Sequence, residues 1–389
     1  MEITIADRPG GLPDVMRAVL LTGHGGPEML DVRDDVPVPL PRNGELLIEV
    51  AACGLNNTDV NTRVGWYSRS VTEATSSDGF AETRPDDATW GSGGLVFPRI
   101  QGADPCGRVV AVGGGVDPSL LGRRVVVDPW VRDPERPHDR SLAGYLGSEF
   151  DGGFAEFCRV PAVNAHAISV DESVVSDVEL AGLACSWSTA MHMLERVALA
   201  AGQRIAVTGA SGGVGTALVR LAALRGADVT AISSASKSDA VAALGADRVV
   251  ARDADDVAGS AVEAAGGPFD VVADVVGGPD VGMWLDALDR GGRYVTSGAI
   301  AGPIVDVDLR VLYLNDLEMI GATVFPPPVF ETLVSLVNDG SVVPPIAATF
   351  PLAEIGAAQE TFGRKDHVGA IVLEIAGSGP HADPHVIPV

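Results

Sequence analysis

The rhythm of apolar and polar residues changes partway along the chain. Up to about residue 165 the apolar residues come in short runs, MRAVLLT (16–22), ELLIEVAAC (45–53), GRVVAVG (107–113) and RRVVVDPW (123–130), separated by Gly and Pro. Runs rich in β-branched residues and bounded by turn formers predict strands, because such side chains pack well on a pleated surface. A β-rich, partly barrel-like domain is therefore expected over 1–170. Within it, residues 68–98 are polar, Gly-rich and without a sustained period, which fits either a surface insertion near an active site or a plain flexible loop.

After about residue 175 strands and helices alternate. SDVELAGLACSWSTAMHMLERVALA (176–200) has helical spacing, RIAVTG (204–209) is a short apolar run ending in Gly, TALVRLAALRG (216–226) is helical again, and ADVTAISS (227–234) is the next strand. The alternation continues through KSDAVAALGA, DRVVA, DVAGSAVEAAG, FDVVADVVG, MWLDALDRGG and RYVTSG, with EMIGATVF (318–325) as a further strand. Such a pattern predicts βαβ units and a parallel sheet covered by helices on both faces, so the fold class expected is α/β with a doubly wound Rossmann domain over 171–325. The segment 326–375 carries a helix, a proline-rich strand, a second helix and a closing strand, and 376–389 reads as a disordered tail.

Composition narrows the function classes. The 389 residues are 46% hydrophobic and 20% charged, with no apolar run near the roughly 18 residues that span a bilayer. The start, MEITIADRPGG, lacks the basic and apolar regions of a secretory signal, so a cytoplasmic location is expected. Net charge is −25, which argues against nucleic acid or an anionic membrane as partner. Lys237 and Lys365 are the only lysines, and the four cysteines, 53, 106, 158 and 185, are too scattered for a disulfide framework or a four-cysteine zinc cluster.

RIAVTGASGGVGTALVRLAALRG carries the strongest chemical signal. Ala210, Gly212 and Gly215 fit the G-x-G-x-x-G pattern with Ala in first place, between a strand and a helix. There, missing side chains let backbone approach a pyrophosphate at a helix N-terminus. Ser211, Gly213 and Val214 complete the expected loop, and no G-K-[ST] follows as a kinase-type phosphate loop would need. The next strand ends in AISSASKSD, where Ser233, Ser234 and Lys237 offer hydroxyls and an ammonium to a 2′-phosphate in place of the carboxylate that takes a ribose diol. The cofactor expected is NADPH.

A β-rich domain, a Rossmann domain and a tail returning to the first domain together resemble the medium-chain dehydrogenase/reductase superfamily. ACGLNNTDVNTRVGWYS, PRIQGADPCGRVVAVG, GGFAEFCRVP and AVTGASGGVG are most similar to its zinc-independent quinone oxidoreductase branch, which shows C-G-x-N-x-x-D followed by R-x-G-x-Y. The resemblance implies a GroES-like first domain, to which 326–375 returns. Aligned on Gly54 and Thr58-Asp59, the ligand Cys of zinc alcohol dehydrogenases falls on Asn56, their Gly-His-Glu on Gly102, Ala103 and Asp104, and a third ligand Cys on Cys185. One soft ligand and a carboxylate do not close a catalytic zinc site, so no metal is expected. Without a Lewis acid, hydride addition to a quinone or a conjugated enone or enoyl group is easier than alcohol oxidation, because hydrogen bonds can hold the delocalised charge.

The resemblance implies roles for three side chains. Asn56 is a candidate for holding the nicotinamide ribose or the substrate oxygen, and Tyr67 for hydrogen-bonding the carbonyl or protonating the product. Thr58 sits where zinc relatives place a proton relay, and Asp59 is expected to pair with Arg63 one turn later. Trp66 and Trp90 are candidate walls for a flat substrate, Cys185 is expected to pack as a small apolar residue, and His192 has no evident partner. Tyr294, Ser297 and Gly298 follow the sixth strand, at the edge where doubly wound sheets bind ligands. EMIGATVF could pair with its own copy, so a homodimer acting on a small molecule is expected. Two rivals stay open: an alcohol or aldehyde oxidoreductase using Cys185 and Asp104 with an atypical metal, and a redox sensor that binds NADPH without turnover.

Overall fold

The computed structural model describes residues 3–6, 11–76 and 95–375. The expected disordered tail, most of the polar insertion and Trp90 lie outside the described residues. In the first part of the chain, β1 (Glu45–Gly54) leads into α1 (Asn57–Val64). There follow β2 (Asp104–Gly113), β3 (Arg124–Val127), β4 (Trp130–Val131), β5 (Gly144–Tyr145) and β6 (Phe157–Pro161). The alternating part begins with α2 (Ala184–Arg196), β7 (Arg204–Val207), α3 (Gly213–Leu224), β8 (Asp228–Ser233) and β9 (Arg248–Ala251). It continues with β10 (Phe269–Asp274), β11 (Leu288–Thr296), β12 (Glu318–Gly321) and α4 (Pro327–Asn338). The chain closes with β13 (Ile346–Pro351), α5 (Ile355–Arg364) and β14 (Ala370–Glu374).

Two sheets organise most of these elements, while β4 and β5 pair only with each other. The parallel sheet runs β9-β8-β7-β10-β11-β12, the doubly wound order in which a crevice opens beyond the carboxyl end of β7. The mixed sheet runs from Ala165–Ala167 through β3, β2, β1 and β14 to β13, with β6 also paired to β1. The near-continuous apolar run of β1 is explained by its central place, since β2 lies on one edge and β6 and β14 on the other. Leu46, Leu47, Ile48, Val50, Ala52 and Cys53 are all buried. Cys53 packs, as a strand-end residue should: a Cβ added to Gly102 or Gly153 would meet its sulfur at 2.9 or 2.8 Å.

Three boundaries differ from the sequence reading, each for a physical reason. The single helix expected over 176–200 is broken, because Ser176 and Glu179 form a reciprocal capping box that makes a separate turn, Asp177–Leu180, before α2 starts at Ala184. The helix expected through MWLDALDRGG stops at Asp286, and LDRGGRYVT becomes β11. Finally, α4 does not belong to the returning segment. Its Val329, Phe330, Leu333 and Val337 join the core around α2 and the parallel sheet, so the chain re-enters the mixed sheet only at β13. Among the described residues no helix is long and apolar enough to cross a membrane.

Candidate active site

The crevice between the two sheets holds two cavities that share Asn57, Gly213, Val214, Val275, Ile300 and Phe362. The first is lined by Ser211, Gly212, Gly213, Val214, Gly215, Ser233 and Ser234, as the motif predicts for a nucleotide. Each glycine has its own reason. Gly215 lets α3 pack on the loop, since a Cβ there would lie 2.1 Å from the Gly209 carbonyl oxygen. Gly212 has ordinary backbone angles, φ −76° and ψ 173°, and open space around it: a Cβ added there would have its nearest neighbour 3.6 Å away, so the missing side chain leaves room for a ligand. Ala210 is a correction to the motif reading: it is fully buried, its N–H donates to the Ile232 carbonyl, and Gly209, at φ +58°, makes the turn in its place.

At the far end of this cavity Ser233 Oγ is buried without a hydrogen-bond partner, and Arg252 also lines the wall. An orphaned hydroxyl, a guanidinium and a glycine cradle fit a nicotinamide dinucleotide. Sequence reasoning missed Arg252, although it follows β9 directly and β9 pairs with Ser233 in register through Ala251. Lys237 is a second correction. Its ammonium does not line the cavity; it donates to the Lys365 carbonyl at 2.6 Å and to Ser211 Oγ at 3.3 Å, and burial lowers its pKa.

The chain's other lysine meets the same place from the opposite domain. Lys365 ends α5 in the left-handed region at φ +54°, donates from Nζ to Asn57 Oδ1 at 2.8 Å and lies 3.4 Å from the Phe362 ring centroid. Burial pushes its ammonium down to about 7. Gly369 N–H donates to the Ser211 carbonyl at 3.0 Å, so the phosphate loop is stitched to the returning strand. His367, also in the cavity wall, is pushed down to about 4 by burial and by the two lysines. Neither Lys365 nor His367 was singled out by motif. Scarcity of lysine was the available signal, because both copies converge here.

The second cavity collects Asn56, Thr58, Tyr67, Ser297 and Gly298, together with Trp66, Asp104, Trp130, Tyr145 and Cys185. Tyr294, expected beside Ser297, is instead in the sheet core, where its hydroxyl donates to Asp274. Asn56 is the N-cap of α1. Its backbone N–H donates to Asp59 Oδ2 at 2.7 Å, its Nδ2 donates to Asp104 Oδ2 at 3.0 Å, and its Oδ1 accepts from Ser186 Oγ at 3.0 Å. The other oxygen of Asp104 accepts the Cys185 N–H at 2.7 Å. Asp59 thus serves the helix cap, while Arg63, its expected partner, reaches Gln359 Oε1 at 3.0 Å and the Gly25 carbonyl at 2.7 Å. Burial pushes the Asp59 carboxyl up to about 8 and the Asp104 carboxyl up to about 7.

Tyr67 is hydrogen-bonded to the side chains of Thr58 and Asn61, and burial raises its pKa, so it remains a protonated donor. Trp66 packs edge-on to it at 5.7 Å and donates from Nε1 to the Glu73 carbonyl, while Thr75 N–H reaches Ile300 across the crevice. Cys185 packs against the core as expected, and it also stands in the cavity wall, hydrogen-bonded to Tyr145. Burial raises its pKa well above that of an ordinary thiol. His192 sits behind this wall with both ring nitrogens unpartnered, 6.4 Å from the Phe325 ring.

These residues do not fit a zinc ion. Asn56 turns its N–H toward Asp104 and both Asp104 oxygens are taken by protein donors, which leaves Cys185 as one soft ligand, whereas a catalytic zinc needs about three protein ligands. Among the described residues no group of three or more His, Cys, Asp or Glu could hold a metal.

Residues 42–170 match the family described as Alcohol dehydrogenase GroES-like domain, and residues 213–339 the family described as Zinc-binding dehydrogenase. The chain is 28% identical to an acryloyl-coenzyme A reductase of Metallosphaera sedula, over 92% of this chain and 99% of the relative. It is 27% identical to an NAD-dependent alcohol dehydrogenase of Sulfurisphaera tokodaii, over 92% and 99%. It is 26% identical to a quinone oxidoreductase of Rattus norvegicus, over 89% and 93%. Among solved structures, a provisional alcohol dehydrogenase of Sinorhizobium meliloti 1021 superposes with a TM-score of 0.83 at 44% identity, covering 94% of this chain and 98% of that one. A cobalt- and zinc-bound thermostable alcohol dehydrogenase of Pyrobaculum aerophilum superposes at 0.76 and 31% identity, over 92% and 99%. The 2-octenoyl-CoA carboxylase reductase CinF, in complex with NADP and 2-octenoyl-CoA, does so at 0.78 and 25%, over 95% and 90%.

Proposed function

The chain belongs to the medium-chain dehydrogenase/reductase superfamily, a family of nicotinamide-dependent oxidoreductases, and from that premise we propose an NADPH-dependent, zinc-independent reductase of quinones or α,β-unsaturated carbonyl compounds. One observation carries the reading: Asp104 accepts from the Asn56 side chain and from the Cys185 backbone N–H, at the three positions where the resemblance to zinc alcohol dehydrogenases puts metal ligands. With the Lewis acid replaced by a closed hydrogen-bond network, the favoured chemistry is one whose developing charge is spread by conjugation and held by hydroxyl donors.

Bound nicotinamide supplies the hydride. The chain's own groups do the rest. Gly212 and the N-terminus of α3 receive the pyrophosphate, and Ser233, Ser234 and Arg252 receive the 2′-phosphate, which supports NADPH over NADH. The apolar cavity wall of Trp66, Trp130 and Phe325 takes a flat acceptor and excludes water. Tyr67, aligned by Thr58 and Asn61, donates to the acceptor's carbonyl oxygen as hydride reaches the conjugated carbon, and water or Tyr67 returns the proton. Relatives with quinone and enoyl-thioester names fall on this side of the chemistry. The protein acts as a homodimer joined along the exposed edge strand β12, beside the exposed Leu309, Tyr313 and Leu314.

NADPH consumption against a panel of quinones, enones, enoyl thioesters and, in reverse, alcohols tests the function. Turnover of any conjugated acceptor is the expected result. Failure of all of them while alcohols are oxidised overturns the reading, and turnover of none favours a binding protein. Light scattering on the purified protein tests the dimer, with a monomer mass as the contrary result.

A further inference from the structure

Tyr145 lines the same cavity as Tyr67 but comes from a different element. The two-residue ribbon of β4 and β5 places it opposite Trp130, with ring centroids 4.7 Å apart, and its N–H is held by Glu149 Oε2 at 2.8 Å. Its side chain is buried, and its hydroxyl is hydrogen-bonded to the Cys185 sulfur. Sulfur in a thiol is a weak acceptor, whereas a carbonyl oxygen gaining negative charge is a strong one. Exchanging one for the other is therefore favourable.

We infer that the Tyr145 hydroxyl is a second hydrogen-bond donor to the acceptor's carbonyl oxygen, with the Cys185 sulfur as its resting partner in the empty cavity. The inference rests on the proposed reduction of a carbonyl-conjugated acceptor. Tyr67, Tyr145 and Cys185 line one cavity, so the two tyrosines reach the same space from separate elements. Two donors on one oxygen stabilise an enolate or hydroquinone anion as the backbone pair of an oxyanion hole does. Burial raises the pKa of Tyr145 well above that of an ordinary phenol, so it stays a donor across the neutral range. Cys185 thereby gains a role that requires no thiolate.

Two arms separate this inference from the reading beneath it. The binding arm needs no turnover: ligand-observed NMR on the enzyme with NADP⁺ compares cyclohexanone with methylenecyclohexane, which has the same shape without the oxygen. Wild type is expected to prefer the ketone by about fivefold to tenfold, and Tyr145→Phe, which keeps the ring on Trp130, to lose most of that preference. The preference is expected to grow in Cys185→Ala, where the hydroxyl has lost its sulfur partner. No preference in wild type, or an undiminished one in Tyr145→Phe, overturns the role of Tyr145. The turnover arm measures kcat/KM on the conjugated acceptor that wild type reduces best. Tyr145→Phe is expected to lower it about 100-fold with NADPH affinity unchanged, and a loss under twofold overturns the inference while leaving the reductase reading in place. Wild-type inactivity on every conjugated acceptor overturns the reading, and the binding arm still decides about Tyr145.

Discussion

The two halves of the crevice, which we propose take nucleotide and acceptor, are built by different means. The nucleotide half is built around one continuous turn, Gly209 to Gly215, with the ends of two neighbouring strands and side chains such as Trp284, Phe362 and Lys365 around it. The acceptor half is made of side chains gathered from 56–67, 104, 130–145, 185 and 297–325, and it keeps two buried carboxylates among them. The first half works by leaving space, and the second by filling space with a hydrogen-bond network that must be satisfied. Substitutions should therefore act on ligand affinity in the first and on stability and chemistry in the second.

The largest expected effect tests the claim about space. Gly212→Ala adds a methyl where backbone angles permit it and no protein atom lies closer than 3.6 Å. The thermal midpoint is expected to stay at the wild-type value while NADPH affinity falls ~100-fold, or about 2.7 kcal/mol. Gly215→Ala, whose methyl would lie 2.1 Å from the Gly209 carbonyl, should lower the thermal midpoint as well. If the two variants behave alike, the division of labour between the glycines is wrong.

The acceptor half should declare itself through pH. Asp59 and Asp104 are raised to about 8 and about 7 from ordinary values near 3.8, so the native state holds their protons more tightly than the unfolded chain does. Their contribution is fully stabilising below about pH 4 and is lost as pH climbs through 7 and 8. The thermal midpoint is expected to fall between pH 5 and pH 9, and Asp104→Asn should flatten the slope. A midpoint that rises over that interval would mean that the donors around these carboxylates, Asn56 and Cys185 N–H among them, outweigh burial.

The same contrast explains what was legible in the sequence. A backbone turn between a strand and a helix leaves a contiguous signature, so the phosphate loop, the parallel sheet and the positions of Ser233 and Ser234 could be read directly. Asn56 and Tyr67 could be singled out only because they share one motif with α1. Tyr145 and Arg252 could not, since their place depends on a two-residue ribbon and on strand register, and neither leaves a local pattern. Lys237 misled for a related reason. A charge at the right distance in sequence identified the region, but the ammonium chose a carbonyl in another domain, 128 residues away, over the cavity.

Arg252 is the intermediate case. Arg252→Ala is expected to weaken NADPH by about tenfold and leave NADH unchanged, read by fluorescence titration of each cofactor. An equal loss for both would remove Arg252 from the 2′-phosphate site and with it the main charge argument for NADPH.

The smallest effect is expected at the seam between the halves. Lys237 bonds both the phosphate loop at Ser211 and the Lys365 carbonyl, while Lys365 in turn bonds Asn57 beside the acceptor cavity. Neither acceptor of Lys237 is a carboxylate, so the bonds are charge-assisted on one side only, and water can replace part of them at a half-open edge. Lys237→Met keeps the packed stem and removes the ammonium. It should weaken NADPH by only about threefold to fivefold, while hydrogen exchange speeds up at 365–369, the segment the stitch holds down. If NADPH affinity instead drops as far as in Gly212→Ala with exchange unchanged, Lys237 touches the cofactor after all, and the two halves are less independent than their construction implies.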